Sequence, residues 1–248
     1  MLVHNQKEFD AAVLAKKPII LSDGCGEIVR WDRPTIASIE VERRGATVKG
    51  DLYLVGATVE GDVSLSGATV EGDVSLSCAT VKGNVSLRGA TVKGDLYLVC
   101  ATVEGHVSLS GATVEGDVSL SGATVKGGIY LVGATVEGDV SLIGATVEGH
   151  VSLSGATVEG DVPLRGATVK GYVSLSGATV EGDVSLRGAT VKGDWWNPLS
   201  YDASEVVEHL RCAQISVDSP SDDRATFERL WNDGWRCIET VTREFVKH

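Results

Sequence analysis

The sequence predicts a mainly β protein whose chain winds into a β-solenoid, and three observations indicate this fold. An 11-residue unit recurs about fourteen times, without insertions, between residues 45 and 194. A second period of 22 residues is superimposed on it. The composition, with 30 glycines and 5% aromatic residues among 248, suits a thin core of small aliphatic side chains better than the thick core of a compact α/β domain.

The 11-residue unit contains two short segments in which apolar and polar residues alternate, as in GATVEGDVSLS from Gly67 to Ser77. In the first segment alanine and valine flank a threonine, and in the second valine and leucine flank a serine or tyrosine. This alternation is typical of strands with one face in a core. Glycine stands at the junctions, where it permits the backbone angles of a turn. Each unit therefore predicts two strands and two corners.

The longer period shows in the residue that follows the internal glycine of each unit. In alternate units this residue is aspartate throughout, at Asp51, Asp73, Asp95, Asp117, Asp139, Asp161 and Asp183. In the intervening units it varies, as Asp62, Asn84, His106, Gly128, His150, Tyr172 and Asp194. The two cysteines that replace a leading glycine, Cys78 and Cys100, are also 22 residues apart. These columns predict a single-stranded, four-sided coil of 22 residues, with about seven coils stacked at about 4.8 Å.

The chain divides into three predicted regions, which are an N-terminal cap at 1–44, the regular β-solenoid at 45–194 and a C-terminal helical cap or interface at 195–248. In the first region Asn5 has the side chain of a helix N-cap, and Glu8 follows three residues later. That pairing predicts a short helix at about 6 to 16. Irregular first strands are predicted at 18–22, 27–31 and 36–42.

The C-terminal region departs from the repeat at Trp195, and Pro198 cannot donate to a strand ladder. Helical periodicity predicts three α-helices there, at 202–212, 222–232 and 235–247. Its bulky aromatic residues allow two interpretations: they pack the helices onto the last coil, or they form an interface for a homodimer or another protein, where tryptophan is enriched. This candidate interface consists of Trp195, Trp196, Trp231, Trp235 and Phe245.

Composition excludes several classes of protein. The net charge of −12 argues against direct contact with nucleic acid, because phosphate binding needs clustered lysine and arginine. An acidic rod can instead imitate nucleic acid. No apolar run reaches the length of a membrane span and the N-terminus lacks the apolar region of a signal peptide, so we expect a cytoplasmic protein. The five cysteines show no metal-binding spacing and are expected to be reduced thiols.

The sequence contains no constellation that predicts catalysis. Its five histidines do not converge with a carboxylate or a cysteine by spacing, and no hydrolase, metalloprotease or phosphate-binding motif occurs. His106 and His150 would lie two coils apart, about 10 Å, which is too far to share a metal ion. We therefore predict a protein that is not an enzyme and that binds no cofactor and no metal.

Two kinds of outward column are candidate surfaces. The pure aspartate column, Asp51 to Asp183, is a candidate binding surface with three interpretations. Its carboxylates accept backbone N–H groups of their own turns, imitate phosphates, or bind calcium, for which the glycine-rich β-roll motif is absent. The threonines form two outward files, and these are either ordinary strand surface or an ice-binding array of hydroxyl groups.

Segments such as GATVEGDVSLSGATVKG and GATVEGHVSLSGATVEG resemble bacterial pentapeptide-repeat proteins over residues 45–194, and more loosely the bactofilins. The paired inward residues are similar to the two inward positions of a pentapeptide-repeat side, but the period here is eleven and not five. The resemblance implies a right-handed quadrilateral β-solenoid. Some pentapeptide-repeat proteins are acidic, often dimeric DNA mimics that bind DNA gyrase, and bactofilins polymerise end to end.

Three functions remain open on these grounds. The first is a non-catalytic scaffold whose acidic rod, lined by Thr and Ser, binds a basic or nucleic-acid-binding protein, with nucleic-acid mimicry as one form of that binding. The second is a self-assembling structural polymer, and the third is an ice-binding surface made by the Thr files. Because the predicted caps cover both ends of the solenoid, we rank the scaffold above the polymer.

Overall fold

The computed structural model describes residues 1–30, 33–41 and 43–192, together with the backbone of three strands nearer the C-terminus, Ile215–Val217, Trp235–Cys237 and Arg243–Lys247. The repeat region is a parallel β-solenoid. Thr69 pairs with Thr47 on one side and Thr91 on the other, so neighbouring strands are 22 residues apart. The predicted 22-residue, four-sided coil is therefore confirmed.

The four faces of the solenoid are numbered 1 to 4 in the order in which the chain passes through them. Face 1 consists of Thr47–Val48, Thr69–Val70, Thr91–Val92, Thr113–Val114, Thr135–Val136, Thr157–Val158 and Thr179–Val180. Face 2 consists of Ile28–Arg30, Leu52–Leu54, Val74–Ser75, Leu96–Tyr97, Val118–Ser119, Val140–Ser141, Val162–Pro163 and Val184–Leu186. Face 3 consists of Thr35–Ile36, Thr58–Val59, Thr80–Val81, Thr102–Val103, Thr124–Val125, Thr146–Val147, Thr168–Val169 and Thr190–Val191. Face 4 consists of Leu2–Val3, Ile19–Leu21, Ile39–Val41, Val63–Ser64, Val85–Ser86, Val107–Ser108, Ile129–Tyr130, Val151–Ser152 and Val173–Ser174.

The core is a set of ladders formed by the inward residues of successive coils. In the coil at 67–88 the inward side chains are exposed by at most 1%, and they are Ala68, Val70, Val74, Leu76, Ala79, Val81, Val85 and Leu87. Each valine or leucine gains about 1.5 to 3 kcal/mol from burial. Because every inward residue also contacts its counterparts in the coils above and below, the solenoid is stabilised by stacking and not by any one coil.

The N-terminal segment closes one end of this core. The predicted helix is observed at Gln6–Leu14, where the Asn5 side chain caps it by accepting the Glu8 N–H at 3.1 Å. Phe9 and Ala12 on the buried side of the helix are fully inaccessible to solvent and belong to the same hydrophobic core as the coils.

The first strands complete one further coil. Ile28–Arg30 and Thr35–Ile36 pair in parallel with the first regular strands of faces 2 and 3, and Ile39–Val41 pairs with Ile19–Leu21. Face 3 accordingly has eight strands, and the rod has about eight turns and not the seven predicted. The predicted number of turns was one too low because the spacing between these first strands is irregular. The 11-residue pattern therefore does not show that they form a coil.

Face 2 contains one local break in its ladder. Pro163 has no N–H group, and the parallel pairing between Val140–Ser141 and Val162–Pro163 is lost. The two strands remain adjacent, because the Leu142 N–H still donates to the Pro163 carbonyl at 2.9 Å. The solenoid therefore tolerates a missing donor where neighbouring hydrogen bonds persist.

The predicted C-terminal helix at 235–247 is wrong. That stretch contains two antiparallel strands, Trp235–Cys237 and Arg243–Lys247, and the second of them also pairs with Ile215–Val217. Ile215–Val217 pairs in parallel with Val184–Leu186 on the last coil of face 2. These strands add to the open edge of the face 2 sheet. An unpaired edge leaves its N–H and C=O groups without partners, so strand pairing there overrides the local helical periodicity of the sequence. The predicted helices at 202–212 and 222–232 lie outside the described residues.

Candidate functional site

Three corners of the coil carry the residues singled out by the sequence. The Asp corner lies between faces 1 and 2 and contains 49–51 and its equivalents every 22 residues up to 181–183. The mixed corner lies between faces 3 and 4 and contains 60–62 and its equivalents up to 170–172. The Cys corner lies between faces 2 and 3 and contains 55–56 and its equivalents, including Cys78 and Cys100.

The seven aspartates of the Asp corner form a continuous ladder of hydrogen bonds, called here the Asp ladder. Oδ1 of each aspartate accepts the backbone N–H of the aspartate 22 residues later, at 2.7 to 2.9 Å, from Asp51 through Asp183. The sequence led us to consider an N–H group of the same turn as the donor. The donor belongs instead to the next coil, so the Asp ladder joins coils to one another.

The Asp ladder is stable despite its stacked charges. Two carboxylates about 4.8 Å apart repel by about 0.9 kcal/mol in water. A hydrogen bond to a charged acceptor contributes about 1.5 to 3 kcal/mol. The hydrogen bonds offset the repulsion between neighbours, and the carboxylates are part of the framework of the rod.

From Gly72 to Gly182, the glycine before each aspartate leaves room for this ladder. A Cβ atom built on Gly116 would lie 2.1 Å from Oδ1 of Asp95 and 2.9 Å from the backbone carbon of Gly94. The same close approach occurs at Gly72, Gly94 and Gly138. A glycine is required here because the neighbouring coil occupies the space of a side chain, and not because of the backbone angle.

The mixed corner follows the same rule with different residues. Oδ1 of Asp62 accepts the Asn84 N–H at 2.7 Å, and Oδ1 of Asn84 accepts the His106 N–H at 2.9 Å. Nδ1 of His106 then accepts the Gly128 N–H at 2.8 Å. The acceptor role requires the neutral imidazole with its proton on Nε2. The sequence had marked this column only as variable; Asp62, Asn84, His106 and His150 each supply a hydrogen-bond acceptor close to the backbone, whereas Gly128 has no side chain to supply one.

The residues before the corner glycines give the two corners different charges. At the mixed corner acidic and basic residues alternate, and three ion pairs link neighbouring coils at 2.6 to 3.3 Å, namely Lys82–Glu60, Lys126–Glu104 and Lys170–Glu148. At the Asp corner only Lys93 pairs with a glutamate, Glu71, at 3.9 Å among the residues described. Beyond Lys93 this position is glutamate in four successive coils.

These four glutamates and the aspartates beside them form a strip that is named here the acidic ridge. It consists of Glu115, Asp117, Glu137, Asp139, Glu159, Asp161, Glu181 and Asp183. The four glutamates are exposed, as are Asp117, Asp161 and Asp183, while Asp139 is half-buried. Within these four coils, neither of the two ridge positions holds a lysine or an arginine. The ridge therefore presents negative charge along half of one corner of the rod.

Tyrosines cover the Asp ladder only outside the acidic ridge. The Tyr53 hydroxyl donates to Oδ2 of Asp73 at 2.6 Å, and the Tyr97 hydroxyl donates to Oδ2 of Asp95. The hydrogen bond to Asp95, with a smaller effect of burial, raises the pKa of Tyr97 to about 12. The hydrogen bond to Asp73 likewise raises the pKa of Tyr53. Along the ridge the tyrosine position is Ser119, Ser141, Pro163 and Ser185.

The aromatic candidate interface and the possible metal ligands complete the set of residues that the sequence singled out. Side chains of the candidate interface, Trp195, Trp196, Trp231, Trp235 and Phe245, lie outside the described residues, although Trp235 and Phe245 fall on the paired strands given above. In the described part of the chain, no three His, Cys, Asp or Glu side chains are grouped so that they could hold a metal ion. Within the same part, no helix has the length and apolar character needed to cross a bilayer.

Comparison with known proteins agrees with the repeat geometry. The family model described as pentapeptide repeats (9 copies) matches residues 54–102, 101–146 and 142–190. No curated protein and no solved structure matches the chain. Because the matched residues cover more than half of the chain and coincide with the four-sided coils, the chain belongs to the pentapeptide-repeat family.

Proposed function

We propose that this pentapeptide-repeat scaffold is a non-catalytic binding protein whose acidic ridge is recognised by a basic surface of a protein partner. One observation carries the proposal: the acidity of the ridge exceeds what the fold needs. At the mixed corner Asn84 and His106 accept the same inter-coil N–H groups, and lysines alternate with glutamates. The coil therefore stacks without a second aspartate column and without four successive glutamates. A charge excess that folding does not require indicates selection for contact with something else.

The spacing of the ridge charges suggests the form of that contact. Four coils at about 4.8 Å occupy about 19 Å, so the eight ridge carboxylates provide about one negative charge per 2.4 Å. One strand of DNA carries about one charge per 3.4 Å, and the duplex carries about one per 1.7 Å. The ridge lies between the two values. We therefore propose that its partner is a nucleic-acid-binding protein and that the ridge imitates the phosphate backbone.

Non-catalytic binding agrees with the character of the family, whose members are generally structural or scaffold proteins. It also agrees with the arrangement of functional groups in the described residues. His106 and His150 are used as hydrogen-bond acceptors between coils, and the carboxylates of the Asp ladder accept backbone N–H groups. These two histidines and the aspartates of the ladder are in this way engaged in stacking.

The test compares two variants of the full chain that carry the same net charge. The ridge variant is Glu115→Gln, Glu137→Gln, Glu159→Gln and Glu181→Gln, which leaves the Asp ladder intact. The matched control removes four charges at the mixed corner, by Glu60→Gln, Asp62→Asn, Glu104→Gln and Glu148→Gln. Each set changes the net charge from −12 to −8, so nonspecific attraction falls equally in both.

Wild-type protein and both variants are immobilised and exposed to cell extract at low and high salt. The proposal predicts a basic protein that wild type and control retain, that the ridge variant loses, and that duplex DNA elutes. If no protein distinguishes the ridge variant from the control, binding through the ridge is wrong. If such a protein is found but DNA does not elute it, the scaffold function stands and the mimicry fails. The predicted homodimer through the C-terminal region is tested separately, by light scattering of the intact chain.

The two alternative functions have less support. The N-terminal end of the solenoid is closed by the helix Gln6–Leu14, with Phe9 buried in the core, which argues against end-to-end polymerisation. The Thr files of faces 1 and 3 are in register from coil to coil, as ice binding would require, but each strand contributes one threonine and not two. Thermal hysteresis that disappears on Thr113→Lys and Thr135→Lys would make ice binding the leading function.

A further inference from the structure

Cys78 and Cys100 are unusual among the leading residues of the 11-residue units. Both have left-handed backbone angles, with φ of +57° and +55°, where the other described leading positions have glycine. A side chain in this conformation costs free energy, and glycine avoids that cost. The two cysteines occupy the same corner in consecutive coils, and both are exposed. Stacking of the coils does not explain them, because glycine serves at the equivalent Gly56 and Gly122.

The coil geometry brings the two residues within reach of a disulfide bond. The Cys78 N–H donates at 2.8 Å to the carbonyl of Val99, the residue that precedes Cys100. The corners are therefore stacked at the inter-strand spacing of about 4.8 Å. Disulfides join residues whose Cα atoms are about 4.4 to 6.8 Å apart. The separation set by the coil falls inside that window.

The Cys100 side chain shows which direction along the rod is open at this corner. Sγ of Cys100 lies 3.2 Å from the position that a Cβ atom would take on Gly122, the equivalent residue of the next coil. A side chain at this corner thus points along the rod toward its counterpart 22 residues later. A side chain at Cys78 in the same rotamer would direct its thiol toward Cys100.

We propose that Cys78 and Cys100 form a dithiol modification site that closes into an inter-coil disulfide by exchange with a low-molecular-weight disulfide such as oxidised glutathione. The thiolate of one cysteine attacks a sulfur of the small disulfide, which forms a mixed disulfide and releases one small thiol. The second cysteine then attacks the protein sulfur of that bond and releases the other small thiol. The two cysteines are oxidised, the small disulfide is reduced to two thiols, and the two cysteine protons end on those thiols.

Cys25 does not compete for this chemistry. Cys25 is fully buried in the core beside the first regular coil. Burial, with a smaller effect of the Glu8 carboxylate, raises the pKa of the Cys25 thiol. Cys78 and Cys100 differ from Cys25 because their thiols are exposed. Each of them also has a second thiol one coil away, as disulfide exchange requires.

The experiment uses the full reduced chain, incubated with oxidised glutathione, quenched by alkylation and digested with trypsin. Cleavage at Lys82 and Lys93 separates the two cysteines, so a bond between them links two peptides that fall apart on reduction. The proposal predicts this linked pair as the main product at Cys78 and Cys100. Stable mixed disulfides with glutathione at both residues, without the linked pair, would overturn it.

Two variants with unchanged cysteine number separate geometry from reactivity. Cys78→Gly with Gly89→Cys moves one thiol to the corner between faces 4 and 1, where a Cβ meets no atom within 4 Å. This variant should keep mixed disulfides and give at least tenfold less of a linked pair. Cys78→Gly with Gly122→Cys recreates a stacked pair one coil further along and should close as wild type does. Equal linkage in the first variant, or none in the second, contradicts the proposal.

Discussion

The Asp corner and the mixed corner are built from the same local pattern, a charged residue, a glycine and a residue that accepts a hydrogen bond. At the mixed corner that acceptor is a carboxylate, an amide or an imidazole, and the charges before it alternate. At the Asp corner the acceptor is aspartate throughout, and the charges become uniformly acidic after Lys93. The difference shows that the coil keeps the glycine and usually an acceptor, with Gly128 as an exception at the mixed corner, whereas charge is free to vary. The proposed function rests on this difference in charge.

The largest effect is expected from filling the space shared by two coils. Gly116→Ala should lower the free energy of unfolding by about 3 to 5 kcal/mol, because its Cβ would overlap Oδ1 of Asp95 and disrupt that hydrogen bond. The control Gly111→Ala places its Cβ in open space and should cost only about 1 to 2 kcal/mol, from its positive φ. Urea unfolding followed by circular dichroism measures both. Equal losses would show that backbone angle, and not the adjacent coil, dictates these glycines.

The next largest effect on stability distinguishes loss of the hydrogen-bond acceptor from loss of the charge at each corner. Asp117→Leu and Asp117→Asn remove the same charge, but only leucine leaves the Asp139 N–H without its partner. The leucine variant should be less stable than the asparagine variant by about 1 to 3 kcal/mol. His106→Leu and His106→Asn at the mixed corner should differ by a similar amount, since Nδ1 of His106 accepts the Gly128 N–H. A difference confined to Asp117 would show that the two corners do not share one rule.

Exchanging charges between the corners should have small effects of opposite sign. Lys126→Glu removes the 3.3 Å pair with Glu104 and stacks like charges, so it should destabilise by up to about 1 kcal/mol. Glu137→Lys on the acidic ridge places a cation between Glu115 and Glu159 and should stabilise by up to about 1 kcal/mol. Both effects on the free energy of unfolding should become smaller in high salt. Destabilisation by Glu137→Lys would mean that the ridge charges serve folding, which would weaken the proposed function.

The smallest effect concerns pH and the tyrosines outside the ridge. The hydrogen bond to Asp95 raises the pKa of Tyr97 from its ordinary value of 10.0 to about 12, so the folded state holds the phenolic proton more tightly than the unfolded state. This contribution to stability is fully present below pH 10 and is lost as the pH rises through about 12. The stability difference between wild type and Tyr97→Phe should therefore shrink across that window. A difference independent of pH would mean that the hydrogen bond is not formed in solution.

Much of the site geometry was accessible from the sequence, but the role of each residue was not. The 22-residue columns correctly predicted which residues stack, including the seven aspartates of the Asp corner. The columns did not reveal that Asn84 and His106 act as aspartate does, because equivalence depends on an acceptor atom near the backbone and not on residue class. The C-terminal strand Arg243–Lys247 was missed because its partners are distant in sequence.

The sequence by itself determined the period, the four-sided coil, the inward Ala, Val and Leu residues and the N-terminal helix. These properties follow from local alternation, glycine placement and capping, and each of these signals lies within a stretch of 22 residues. Only the tertiary structure decided that Asp51 binds the backbone of the next coil, that 19–41 adds a turn to the rod, and that Ile215–Val217 pairs with the last coil of face 2. Each of these depends on which atoms a neighbouring coil presents, and that arrangement exists only after the coils have stacked.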